Sequence, residues 1–367
     1  MDGQIVSTAS GLLDRPPRLA ETTPFLFLES HPMNRVLSLL AILFAVPVLA
    51  ADPAPVKVKV TESTFDFTVG DELVARYHKG PGVAKPYLWP LNSPGGVCVT
   101  RGWPMQTGLP EETKDHPHQK SAWFCHGDVI PEGIELKVRS GDKSVKGVDF
   151  WSEGKGHGTI ACVAVAGVSD DGGVARVPTD NEWRAPDGTK ILDERRTISI
   201  RNLGDARLIV FEIDLYASVC PITFGDTKEG SMGVRVNDVL RLTGPKSDGV
   251  VTSSDGTSAK APAKENLPMW GKRADWHDYS GSVDGKLVGI AMFDHPKNPF
   301  RAAWHTRAYG LLSANPFGRA SFPGTKDEKE LVKMAKGEHL KLQYGILVHS
   351  GGAKDAKVAE RFAEFAR

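Results

Sequence analysis

The densest group of side chains able to do chemistry runs from 115 to 128, reading Asp115-His116-Pro117-His118-Gln119-Lys120-Ser121-Ala122-Trp123-Phe124-Cys125-His126-Gly127-Asp128. It holds three of the chain's eleven histidines, with two acids and a tryptophan. On an extended segment side chains alternate, so His116 and His118 project to one side, and His126 keeps that parity if the strand is unbroken. Two chemistries suit such a set. Imidazoles move protons near neutral pH and hydrogen-bond sugar hydroxyls, with Trp123 stacking on a sugar face and Asp128 in support. Alternatively His116, His118 and His126 hold a divalent metal, with Asp115 or Asp128 as ligand or outer partner. The spacing matches no established zinc signature. A histidine-rich turn tied by local hydrogen bonds is the structural alternative.

A second group is Gly225-Asp226-Thr227-Lys228-Glu229-Gly230. Glycines on both sides of a charged run predict a tight loop, which brings Glu229 forward as a general acid or base and Lys228 as a ligand-orienting cation. A carboxyl group in a partly closed pocket is tuned toward neutral pH by burial. A solvated turn with a Lys–Glu pair competes with this reading. The third group contains Trp270-Gly271-Lys272-Arg273, Phe293-Asp294-His295-Pro296 and Trp304-His305-Thr306-Arg307-Ala308-Tyr309. Aromatic platforms beside charged donors are what polyhydroxylated or carboxylated ligands require. His305 and Arg307 share strand parity, so both can face a pocket while Trp304 packs. Arg273 is a further candidate for orienting a ligand, and His305 ranks above the loop residue His295.

These groups need a scaffold, and the chain between them reads as strands. In 206–218, Ile209, Phe211, Ile213 and Leu215 alternate with Glu212, Asp214 and Tyr216; 340–349 repeats the pattern. Candidate strands at 56–60 and 65–78, the latter broken at Gly70-Asp71, precede them. Pro186-Asp187-Gly188 lies between strands at 182–185 and 190–200, and Asp284-Gly285 between 272–279 and 286–293. Only 355–367 shows helical spacing, with Val358, Phe362 and Phe365 on one stripe. The expected fold is all-β: one large two-sheet antiparallel β-sandwich with a short C-terminal helix. The Ser/Gly/Lys/Ala-rich stretch 246–266 reads as an exposed loop within it.

Charge and termini narrow the function. Lysine plus arginine equal aspartate plus glutamate at 45 each, so no net charge draws the chain to nucleic acid. No phosphate-binding glycine loop or Gly-x-Ser-x-Gly elbow is present. Met33-Asn34-Arg35, an apolar run from Val36 to Val48 and Leu49-Ala50-Ala51 have the form of a signal peptide. The run falls short of the roughly 20 apolar residues that span a bilayer. We therefore expect an N-terminal extension at 1–32 from a misassigned start, a signal peptide at 33–51, and one exported, periplasmic or secreted domain at 52–367. For Cys98, Cys125, Cys162 and Cys220, three pairings and free thiols all stand open.

Taken jointly, the His-Pro-His block, Trp123-Phe124 with His126-Gly127-Asp128, the 225–230 loop, Trp270-Gly271-Lys272-Arg273, Phe293-Asp294-His295-Pro296, and Tyr309-Gly310 with Asn315-Pro316-Phe317-Gly318 resemble the PmoA family. Proteins of that family carry the transferred label "methane oxygenase". The resemblance implies an exported β-sandwich similar to the large folds of sugar mutarotases. On the residues, the expected activity is that of an isomerase, lyase or hydrolase acting on a sugar or its derivative. His116, His118, His126, Glu229 and His305 would be catalytic, with Trp123, Asp128, Lys228, Arg273 and Arg307 binding a small-molecule or glycan ligand. A metal-dependent oxidoreductase built on the three clustered histidines and a non-catalytic glycan-binding module are the alternatives.

Overall fold

A computed structural model describes residues 52–109 and 112–367; the extension and signal peptide read in 1–51 lie outside the described residues. Period-two alternation decides which face each strand buries. Along Ala206–Tyr216 the side chains of Ile209, Phe211 and Leu215 are fully buried, while Glu212 and Tyr216 reach solvent. His339–Ser350 pairs antiparallel with it, placing Ile346 opposite Ile209 and Tyr344 opposite Phe211. These two strands lie inside a nine-stranded sheet that runs Ser258–Lys260, Val250–Ser253, Trp276–Val283, Lys286–Asp294, His339–Ser350, Ala206–Tyr216, Lys190–Asn202, Val174–Arg184, Thr159–Val165. An eight-stranded sheet runs Val56–Val60, Thr64–Val69, Glu72–His78, Tyr87–Leu91, Ala122–His126, Gly230–Arg235, Leu311–Asn315, Ala303–Trp304. A three-stranded sheet of Val332–Met334, Ile222–Phe224 and Val129–Pro131 completes the strand set.

The two large sheets share one core, as the alternation predicts for a sandwich. Phe65, Trp123 and Phe124 of one sheet pack in the same apolar cluster as Ile198, Phe211 and Ile346 of the other. Phe124 meets Trp183 and Tyr344 across the layer, with ring centroids 6.1 and 6.3 Å apart. A buried ion pair between Glu194 and Arg196 sits in this core, both side chains fully enclosed. Arg196 also donates to Tyr77 Oη (3.2 Å) and the Phe124 carbonyl (3.3 Å), and Trp183 Nε1 donates to Glu194 (2.6 Å). Buried charges persist only where their remaining polar atoms are met in this way.

Turn chemistry closes the hairpins where the sequence placed them. Asp284 and Gly285 both take positive φ (51° and 75°), the conformation of a two-residue type I′ hairpin. Boundaries differ from expectation in places: the strand expected at 182–185 runs Val174–Arg184. The strand before the Asp284-Gly285 turn starts at Trp276, not 272. Residues 246–266 are not one exposed loop: Val250–Ser253 and Ser258–Lys260 form a hairpin on the edge of the nine-stranded sheet. Polar composition hides it, because an edge hairpin buries few side chains, here Val251 and Ser253. The C-terminal helix Val358–Phe365 covers the outer face of that sheet, where Val358, Phe362 and Phe365 meet Ala206, Trp276, Ala291, Phe293 and Leu347. All four cysteines are unpaired. Among the described residues no helix is long and apolar enough to cross a membrane.

Phe211 spans the middle of the core. Phe211→Ala is expected to cost about 3–5 kcal/mol, read as a lower urea midpoint with the slope unchanged.

Candidate functional site

Three stretches of chain meet around the paired strands Ala122–His126, Gly230–Arg235 and Leu311–Asn315 of the eight-stranded sheet, and each is held by identifiable contacts. The first is the Asp115–His118 turn. His116 has a positive φ of 44° and Ser121 one of 57°, so this segment is a turn and not the extended strand that parity assumed. Strand pairing begins only at Ala122. What holds the turn is a pair of fully buried arginines. Arg101 donates to Asp115 Oδ1 (2.5 Å) and to the Asp115 and His116 carbonyls (2.9 and 3.0 Å). Arg235, at the end of the Gly230–Arg235 strand, donates to Asp115 Oδ1 and Gln119 Oε1 (both 2.7 Å). Burial alone would raise the Asp115 carboxyl. The hydrogen bond from His116 and the two guanidinium groups outweigh it and hold the group well below the usual carboxylate range.

The second stretch is the 225–230 loop. Its glycines permit close packing: a Cβ on Gly225 would come within 2.1 Å of Asp128 Oδ2, and one on Gly230 within 2.4 Å of His126 Nδ1. Asp226 turns away to accept from the Ala320 and Ser321 amides (3.0 and 3.1 Å). Asn315 Nδ2 holds the Thr227 carbonyl (2.9 Å), and His305 Nδ1 lies 3.0 Å from the Lys228 carbonyl. Pinned at these points, the loop turns Lys228 and Glu229 into the space beside the His116 turn. The third stretch follows the Ala303–Trp304 strand. Trp304 is buried and stacks on His277 (4.5 Å), while His305 and Arg307 face the same hollow.

The hollow has a volume of about 470 Å³. His116, His118, Lys228, Glu229, His305 and Arg307 line it, so six of the side chains proposed from sequence come together. Tyr309 stacks on His116 with centroids 5.0 Å apart and planes 4° from parallel. Arg307 lies over both Trp270 (5.6 Å) and Tyr309 (5.7 Å), a cation–π arrangement that fixes its side chain. Burial pulls His118 down to about 3, with help from Lys85 and His116. His305 is likewise pulled down to about 3 by burial, against the opposing hydrogen bond to the Lys228 carbonyl. Burial raises the Glu229 carboxyl, which the charge of Lys228 only partly offsets. At neutral pH the site therefore presents two uncharged imidazoles beside a carboxyl group moved toward neutrality, a set suited to proton transfer.

Four proposed residues lie elsewhere. His126 is fully buried in the apolar core between Phe224 and Phe317, its Nε2 donating to the Gly225 carbonyl (2.8 Å), and burial pulls it down to about 4. Trp123 is a core residue packed on Trp151 (5.0 Å) and does not line the hollow. Asp128 accepts from the Gly147 and Lys146 amides (2.6 and 3.1 Å), clamping a loop. Arg273 pairs with Glu328 at the surface. The metal set of His116, His118 and His126 is thus divided, and among the described residues no group of three or more His, Cys, Asp or Glu side chains is placed to hold a metal. Conversely, Asp149, Trp151, Ser152 and Tyr309 line the hollow without having been singled out. Tyr309 was visible within the third cluster. Asp149 had no signal beyond its position before Trp151-Ser152, whose amides it caps (2.8 and 3.0 Å). A larger hollow of about 560 Å³ near His295 and Phe365 lies beside the C-terminal helix, away from these groups.

Fold and site together define an antiparallel β-sandwich with a His/Glu hollow beside the eight-stranded sheet. The chain belongs to the family described as "Family of unknown function (DUF6807)", matched over residues 64–363. The likeness to PmoA-family proteins rests on the sequence blocks alone. Comparison with curated proteins finds no match. Among solved structures the chain is similar to the GH36 alpha-galactosidase AgaB from Geobacillus stearothermophilus, at 9% identity and a TM-score of 0.39, over 82% of this chain and 42% of that one. It is similar to a galactose 1-epimerase from Lactobacillus acidophilus NCFM, at 8% identity and a TM-score of 0.37, over 81% of this chain and 98% of that one. A galactose mutarotase-like protein from Clostridium acetobutylicum gives 11% identity and a TM-score of 0.37, over 80% and 98%. The chain spans less than half of the alpha-galactosidase. Likeness this loose transfers no function.

Asp115→Ala would leave two buried guanidinium groups facing one another, and with solvent screening at the partly open turn the expected loss is about 1.5–3 kcal/mol, measurable by urea unfolding. His118 and His305 are expected to show no titration by proton NMR between about pH 5 and 8. Because only the unfolded chain then takes up their protons, stability should fall as pH drops below the ordinary imidazole value of 6.5 and toward 3.

Proposed function

We propose that the protein is an exported enzyme that moves protons on a bound sugar or sugar derivative, with Glu229 as the acid–base group. The observation that carries this reading is the convergence of Glu229, His116, His118 and His305 with Lys228 and Arg307 on one hollow. A sugar offers hydroxyl groups that both donate and accept, and the uncharged imidazoles can meet them without a charge to desolvate. Tyr309, half-buried and stacked on His116, adds an aromatic ring to the lining.

Among reactions on sugars, isomerisation and elimination fit the site better than hydrolysis. Glycoside hydrolysis canonically uses a pair of carboxyl groups. Asp149 is a buried acid in the same lining, but its oxygens are occupied by the Trp151 and Ser152 amides and the Ser152 hydroxyl. Among the described residues that line the hollow, half-buried Glu229 is left as the carboxyl whose oxygens have no protein partner. As a carboxylate it takes a proton from the bound sugar, and as the acid so formed it returns that proton elsewhere on the same molecule or to a leaving oxygen.

With turnover followed by NMR on a panel of aldoses and uronic acids, Glu229→Gln is expected to lower kcat about 100- to 10,000-fold. If Glu229 begins as base, the wild-type rate falls as pH drops through its folded value, which lies above the ordinary 4.5, and the variant lacks that acid limb. Full turnover by the variant overturns the assignment.

A further inference from the structure

Several charged groups around the hollow are already committed to protein partners. Asp142 accepts from the Ser144 amide (2.8 Å) and hydroxyl (2.7 Å), Asp149 caps 151–152, and Glu265 pairs with Arg307. Besides the Glu229 carboxyl, which carries the proposed chemistry, the groups left over include three donors. Lys228 is exposed at the edge of the hollow and makes no ion pair among the described residues. Among the described residues, Arg307 Nε and Trp151 Nε1 are buried without a hydrogen-bond partner. Neither group can accept a hydrogen bond; both only donate.

His305 supplies the opposite polarity. Its Nδ1 faces the Lys228 carbonyl at 3.0 Å, and a carbonyl only accepts, so Nδ1 carries the hydrogen. In the uncharged ring Nε2 is then a bare lone pair. It is buried in a residue only 2% exposed, and it too has no partner among the described residues. Buried polar atoms left without hydrogen-bond partners are destabilising. An occupant that satisfies them must bring an acceptor to Lys228, Arg307 and Trp151 and a donor to His305.

We infer that the sugar taken by this hollow carries a carboxylate, its oxygens meeting Lys228, Arg307 and Trp151, while one of its hydroxyls donates to His305 Nε2. This deepens, and rests on, the sugar-site reading above. A carboxylate matches the donors in shape and sign: guanidinium and ammonium both form charge-assisted hydrogen bonds to it, roughly twice as strong as those to a neutral hydroxyl. The chemical class is therefore a uronic acid or a related acidic sugar.

Isothermal titration of the full chain with sodium D-galacturonate and D-glucuronate, against D-galactose and D-glucose, tests this. At least one uronate is expected to bind roughly tenfold more tightly than its parent aldose, with the preference weakening as salt is raised. Lys228→Gln, at an exposed position that leaves folding intact, should remove most of that preference. In a long-range proton–nitrogen spectrum, His305 Nε2 should be unprotonated and should shift on adding the uronate. Equal binding of uronate and aldose, an unchanged preference in the variant, or a protonated or unmoved His305 Nε2 overturns the carboxylate assignment and leaves the sugar site standing. Binding by none of the four sugars overturns both.

Discussion

Two buried guanidinium groups sharing one carboxylate organise this end of the molecule. Arg101 and Arg235 reach Asp115 from separate parts of the chain, and neither has access to water. Like charges so placed repel, and Asp115, with the carbonyls of the turn, the Trp103 carbonyl and the Gln119 side chain, makes their burial tolerable. The contact is therefore also a geometric constraint. Asp115 can satisfy both arginines only if the following residues fold back, and that return sets His116 against Tyr309 and His118 beside Trp151. Where two charges must share a partner, the backbone has little choice of path.

A second layer of the same logic holds the opposite wall. Lys120 and Lys85 grip the two oxygens of Glu153 (both 2.6 Å), and Lys85 also donates to the Trp151 carbonyl (3.0 Å). The strand entrance and the Trp151 wall are thus tied through one acid. The 225–230 loop depends on contacts of another kind, close approaches that only glycine allows. Charge sharing positions the histidines, and absent side chains position Glu229.

Much of the fold was legible in the sequence, because alternation and Asp-Gly turns are local signals. Ile209, Phe211 and Leu215 announce their face, and Asp284-Gly285 announces its hairpin. The Val250–Lys260 hairpin was not legible, since an edge pair exposes most of its side chains. Site residues were legible where glycines or parity framed them, as with Lys228, Glu229, His305 and Arg307. The histidine block lay in the right place for the wrong reason. Parity carries only along an unbroken strand, and the positive φ of Ser121 resets it, which sends His126 into the core while His116 and His118 stay in the hollow. Asp149 was invisible because its neighbours say nothing about which distant loop it will face.

The walls of the hollow are drawn from residues near 116, 150, 228, 265 and 307, stretches far apart along the chain. Pairings between such remote segments form late, after the loops linking them have closed. No single hairpin holds more than part of this lining. If the hollow takes a ligand as proposed, binding is an all-or-nothing readout of assembly: a chain nicked or stalled short of full closure would be silent, and the ligand would act as a clasp between segments from 116 to 309.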